Sequence, residues 1–130
     1  MGLLLTLRER IITEILGCIG DAMKAEDREL LKLKAEVFQA VGQPIRLAIV
    51  QLLSEGEMCV CEIAEKVGAK RSNVSRHLAV MLRAGVLGVR KDGLKMIYEL
   101  RTPCVLDVVS CVTEVVRRKI EGSAAMLGRL

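Results

Sequence analysis

Residues Cys59–Gly85 read CVCEIAEKVGAKRSNVSRHLAVMLRAG, and the rest of the fold can be built outward from them. A short apolar-periodic run from about Cys59 to Val67 stops at Gly68; after a brief turn a second run, about 73–84, stops at Gly85. Glycine just past the last periodic residue is a helix stop signal. The pattern therefore predicts two short helices joined by a tight turn, a helix-turn-helix at about 59–84. The second helix has two unlike faces. Lys70, Arg71, Ser72, Asn73, Ser75, Arg76 and His77 crowd its start, whereas Val74, Leu78, Met81 and Leu82 recur behind them at helical spacing. Donors on the N-terminal half and an apolar stripe along the back are what a helix needs to enter the major groove of duplex DNA while held on a domain.

Downstream, Val86–Lys91 and Leu94–Leu100 flank Asp92-Gly93, a strong hairpin signal. Arg90, Lys91 and Lys95 cluster at its tip, as suits a wing lying along phosphates. Pro103 opens a last helix, about 103–121, striped with Val105, Val108, Val109, Val112, Val115, Val116 and Ile120. Upstream, Leu4, Leu7, Ile11, Ile15 and Cys18 mark a helix at about 3–19. Leu30, Leu33, Val37 and Val41 mark a second up to Gly42, and Ile45, Ile49, Leu52 and Leu53 a third between Pro44 and Gly56. The order predicts one winged helix-turn-helix domain over 1–130, mainly α with a small β-hairpin (α+β), its wing at about 86–100. The first and last helices carry more apolar surface than so small a core needs. They are expected to pair across a two-fold axis as a homodimer, which sets two reading helices on the half-sites of an inverted repeat in double-stranded DNA.

Composition narrows the function classes. The chain has 130 residues, 52% hydrophobic and 28% charged, enough to bury a core and unlike a disordered segment. Phe38 and Tyr98 are the only aromatics, which argues against nucleic-acid binding by base stacking. Twenty basic against 16 acidic residues, net +4, lean mildly toward a polyanionic partner. His77 is the single histidine, so a site of several imidazoles is excluded; beside Arg76 it reads as a DNA-facing or packing residue. No second base, Gly-rich phosphate loop or paired carboxylate accompanies a nucleophile, so no enzyme and no organic cofactor are expected. Arg8, Glu9 and Arg10 interrupt the leucines at the start before a signal segment forms, and no run approaches the ~18 apolar residues of a membrane span. The expectation is a cytoplasmic protein with reduced thiols and no membrane partner.

Five cysteines, 18, 59, 61, 104 and 111, carry the remaining chemistry. On a regular helix, residues i and i+2 point ~200° apart. Two sulfurs on one ion lie no more than ~4.6 Å apart, given bonds of ~2.3 Å as for zinc. Cys59 and Cys61 therefore either sit at the frayed start of their helix or unwind its first turn on binding. Because that helix supports the reading helix, such distortion is a route from ligand to lost DNA affinity. Cys104 and Cys111, ~10.5 Å apart along a helix, cannot share one ion. Each could meet Cys59/Cys61 from its own or a partner subunit, or could simply pack on the aliphatic stripe. Cys18 reads as a small buried hydrophobe. Thiolates select soft ions. A second reading of the same cysteines is a redox or persulfide sensor, bridging Cys59 or Cys61 to Cys104 or Cys111.

Several stretches resemble one family in order along the chain. Glu57-Met58-Cys59-Val60-Cys61-Glu62-Ile63-Ala64 is similar to the "ELCVCDL" metal-binding box of ArsR/SmtB metal-sensing repressors. Gln43-Pro44-Ile45-Arg46-Leu47 is similar to "DPTRL", and Ser72-Asn73-Val74-Ser75-Arg76-His77-Leu78 with Ala84-Gly85 to "SQSAVSRHL…AG". The wing from Arg90 to Leu100 matches too. Over about 35–105 the resemblance implies a dimeric repressor that leaves its operator when an ion binds, without naming the ion; soft thiolates point to As(III) or Sb(III) as inducer, with Cd, Pb or Zn as further candidates. The arsenic-type box often has a third cysteine where this chain has Ala64. The third thiolate is then Cys18, Cys104, Cys111 or a small exogenous thiol, unless a mono-organic arsenical needs only two. The family's zinc and nickel sensors use carboxylates and imidazoles on the last helix; Asp107, Glu114 and Glu121 without a histidine imply that this second site is absent.

Overall fold

The computed structural model describes residues 23–129, so the helix expected at about 3–19, with Cys18, lies outside the described residues. Five helices and three strands follow one another: α1 (Ala25–Val41), α2 (Pro44–Ser54), β1 (Met58–Cys59), α3 (Val60–Val67), α4 (Arg71–Arg83), β2 (Leu87–Asp92), β3 (Lys95–Leu100) and α5 (Cys104–Leu127). Contacts group Glu36–Leu130 into one compact unit, distinct from the residues before it. This is a winged helix-turn-helix.

Local chemistry explains the breaks. Gln43 is extended (φ −133°, ψ 146°), as a residue before proline must be, and Pro44 starts α2 where its missing N–H is not needed. Both helices of the helix-turn-helix end in the same motif. At the end of α3, the Ala69 N–H donates to the Ala64 carbonyl and the Gly68 N–H to Glu65, with Gly68 left-handed at φ 71°. After α4, Val86 donates to Met81 and Gly85 to Leu82. Val86 and Met81, joined by that bond, are both fully buried, so the motif aims the chain from α4 into the sheet across the core.

The core is built from one face of each element. Ile49 and Val50 of α2, Ile63 of α3, Val74, Leu78 and Met81 of α4, Val86 and Leu87 are all fully buried. Positions 74, 78 and 81 are the apolar stripe expected behind the reading face, and they hold α4 on the domain. The sheet is antiparallel in the order β1-β3-β2.

Three expectations are corrected. The hairpin pairs Asp92 with Lys95, so its two-residue turn is Gly93-Leu94 rather than Asp92-Gly93. Gly93 has φ 60° and, among the described residues, no non-glycine has a positive φ, which is the type II′ geometry with glycine first. Cys59 is the second residue of β1, paired with Ile97, and not the first turn of a helix. A two-residue strand falls below any periodic signal; pairing with β3 creates it. The last helix runs to Leu127, beyond the expected 121, with no residue fully buried. Val105 and Leu106 at its start pack on the core, while farther along Val115 is 62% and Ile120 64% exposed. In α1, Leu30 and Leu33 are likewise exposed, and only Ala40 and Val41 are buried.

Truncating Leu78 to alanine should cost about 3 kcal/mol, because it opens a cavity where α4 meets the core. Urea unfolding at fixed protein concentration measures this loss.

Candidate DNA-reading face and thiol site

Helix α4 presents its polar start outward. Lys70, Arg71, Ser72, Asn73, Ser75 and Arg76 are all exposed and His77 is half-buried, with Val74 and Leu78 anchored beneath them. No side chain caps this helix: Lys70 takes the N-cap position in extended conformation without a side-chain bond. Its first N–H groups thus stay available for a phosphate oxygen.

The wing carries three cations in two different states. Lys91 and Lys95 are exposed near the turn. Arg90 instead turns back: its Nη2 donates to Glu57 Oε2 at 2.7 Å, and its Nη1 lies 3.7 Å from Asp92 Oδ2. The Arg90 hydrogen bond and charge hold the Glu57 carboxyl below the usual glutamate range, and Glu57 raises Arg90 in turn. The pair fastens the wing to the residues just before β1.

Those residues lead directly into the thiol site. Cys59 is 3% exposed and extended (φ −81°, ψ 164°), and it caps α3. Its sulfur accepts the Glu62 backbone N–H, while its own N–H donates to Glu62 Oε2 at 2.9 Å. This is a capping box with cysteine in the place of serine or threonine. The Cys59 N–H, then the Cys59 side chain, hold Glu62 below the usual glutamate range; burial opposes them, and the charges of Lys95 and Lys66 add a smaller pull in the same sense. Cys61 is exposed on the second residue of α3. The Cys-x-Cys pair therefore lies at the helix start, the first of the two geometries open to it. Because Cys59 is not helical, the ~200° separation of a regular helix does not apply to it.

Cys104 opens α5 and Cys111 lies two turns along it; both are exposed thiols. Among the described residues no three Cys, His, Asp or Glu side chains of one chain come together as metal ligands. Glu62 and Glu57 escaped the sequence reading. The Cys-x-x-Glu spacing was a usable sign of the first, being the capping-box spacing; no spacing signalled the second, since Arg90 is 33 residues away.

An outward basic helix held by a buried stripe, followed by a basic hairpin, defines a DNA-binding winged helix-turn-helix protein. Among the described residues no single helix is long and apolar enough to cross a membrane. The family model of the bacterial regulatory proteins of the arsR family matches residues 43–88. The HTH-type transcriptional regulator Rv0081 of Mycobacterium tuberculosis (strain ATCC 25618 / H37Rv) is 37% identical over 103 residues, covering 78% of this chain and 90% of that one. Its crystal structure superposes with a TM-score of 0.63 over 73% of this chain and 96% of that one, at 36% identity. The chain belongs to the ArsR family of transcriptional regulators, and it is not an enzyme. The Arsenical resistance operon repressor of Escherichia coli (strain K12) is 39% identical over 69 residues, 52% of this chain and 59% of that one. The homodimeric winged helix-turn-helix domain of Mb0332 from Mycobacterium bovis superposes with a TM-score of 0.66 at 26% identity, over 78% of this chain and 93% of that one.

The Glu62 contribution has a defined pH sense. A carboxyl lowered in the folded state stabilises above its unfolded value, and the gain disappears as pH falls through the folded value. The gap in melting temperature between the native protein and Glu62→Ala should be full at pH 7 and close below the usual glutamate range. Calorimetric scans from pH 7 to pH 3 test it.

Proposed function

We propose that this protein is a homodimeric repressor, released from an inverted-repeat operator when a thiophilic ion, As(III) or Sb(III) first among candidates and Cd, Pb or Zn as weaker ones, binds Cys59 and Cys61. The observation that carries the reading is the double duty of Cys59. It is a β1 residue paired with Ile97 of the wing and also the cap of α3, the helix that packs against α4. An ion shared between this sulfur and Cys61 would pull the sulfur away from the Glu62 N–H that it caps. Losing an N-cap costs a helix about 1 kcal/mol. Here that cost falls at the joint between wing and reading helix, so the ion's binding energy is spent on displacing both DNA-contacting elements together.

Two thiolates from one chain leave a three-thiolate ion incomplete. Exposed Cys104 and Cys111 are the donors a second copy brings, and the exposed valines of α5 give that copy a surface to pack on. The arsenical resistance role of the E. coli relative supports the choice of ion. Lys70, Arg71, Ser72, Asn73, Ser75, Arg76 and His77 read or position DNA, with Arg90, Lys91 and Lys95 on the wing. The single-domain organisation over 1–130 and a cytoplasmic location accompany this reading.

Reduced protein, kept anaerobic on a fluorescent fragment of its own upstream DNA, should be released by arsenite. A Cys59→Ser/Cys61→Ser variant should bind that DNA within about twofold of native, because serine is itself a strong N-cap, and should ignore arsenite. No release by arsenite, cadmium or zinc, together with release by an oxidant or persulfide, would replace the ion with a Cys59 or Cys61 bridge to Cys104 or Cys111. The salt dependence of binding is a second check. Lys91→Ala should lower the slope of log affinity against log salt by about 1 for each phosphate no longer neutralised, and Arg90→Ala by less, since Glu57 already engages that guanidinium.

A further inference from the structure

The C-terminal end of α4 borders an open pocket of about 430 Å³ whose lining includes no cysteine. Its polar lining is Glu36 and Gln39 of α1, Arg46 of α2 and Arg83 of α4, over apolar Ala40 and Val80. Arg46 is 8% exposed, the one buried charged residue among those described, and its Nε–H has no hydrogen-bond acceptor. Among the described residues no carboxylate lies within ion-pairing distance of Arg46 or Arg83, Glu36 on the same wall included. A buried cation without a counter-charge is costly, and a second guanidinium beside the same cavity adds repulsion. An anionic occupant relieves both.

We propose that this cavity binds a small organic oxyanion, a carboxylate or phosphate monoester that carries a hydroxyl or amino group. The volume lies within the range of small-molecule sites. A guanidinium matches a carboxylate or phosphate in a two-pronged geometry that an ammonium lacks. Glu36 and Gln39 supply acceptors for a donor next to the charge, which inorganic phosphate does not offer in the same place. Alanine and valine leave room where a larger side chain would have filled the space. Arg83 belongs to the last turn of α4, so the occupant joins the far end of the reading helix to α1 and α2. The site involves neither the cysteines nor DNA, and it stands or falls apart from the ion reading.

Calorimetric titration of the reduced, metal-free full chain with malate, glycerol 3-phosphate and inorganic phosphate tests the proposal, with chloride at matched ionic strength as control. Saturable binding of malate or glycerol 3-phosphate is expected, tighter than inorganic phosphate. Arg83→Gln, on an exposed residue, should fold normally and weaken binding by roughly tenfold, the size of one lost charge-assisted hydrogen bond. Glu36→Gln should remove the preference over inorganic phosphate. Heats no different from chloride would overturn the proposal, as would binding that Arg83→Gln leaves unchanged. So would a dimer that dissociates on Arg46→Gln while anion binding persists, because Arg46 would then answer an acid of a second copy.

Discussion

The reciprocal bond between Cys59 and Glu62 is the joint on which the functional half of the molecule turns. One residue ends a strand and caps a helix: its N–H donates to the Glu62 carboxylate and its sulfur accepts the Glu62 N–H. The strand leads to the wing through β3, and the helix leads to α4 through the core around Ile63 and Leu78. A change of charge or coordination at one sulfur therefore reaches both DNA-contacting elements without crossing the whole domain. The Glu57–Arg90 pair ties the same joint to β2 from the other side, so the wing is fastened at two points within three residues of the cap.

Thiol burial then decides how such a joint could sense. Cys59 is enclosed and already hydrogen-bonded, whereas Cys61, Cys104 and Cys111 stand exposed. Under the proposed function, an ion would meet an exposed thiol first and reach the enclosed one only by opening the cap, which would make binding and distortion one event. A capping cysteine suits that role: sulfur is a weak acceptor beside an alcohol oxygen, so the cap holds the helix start but yields to a soft ion.

Much of this was legible in the residues. Positions 74, 78 and 81 predicted the buried stripe of α4, and the glycines at 68 and 85 predicted where the two short helices end, because left-handed backbone is a local demand that composition exposes. The placement of the Cys-x-Cys pair at a helix start was one of two geometries its spacing allowed. Less visible were the turn, off by one residue, and β1. Both depend on which strand residues face each other, and two residues carry no period of their own.

The sequence by itself determined the helix-turn-helix, the wing and the polar face of the reading helix, since each rests on periodicity or residue type within a short window. The tertiary structure alone decided that Arg90 answers Glu57, 33 residues away, instead of pointing outward with Lys91. It alone buried Arg46 at the pocket that Arg83 also lines, and left the stripe of α5 exposed among the described residues. These are matters of distance between segments far apart in the chain, and pair distances of that kind are set when the core closes, by packing that no local pattern encodes.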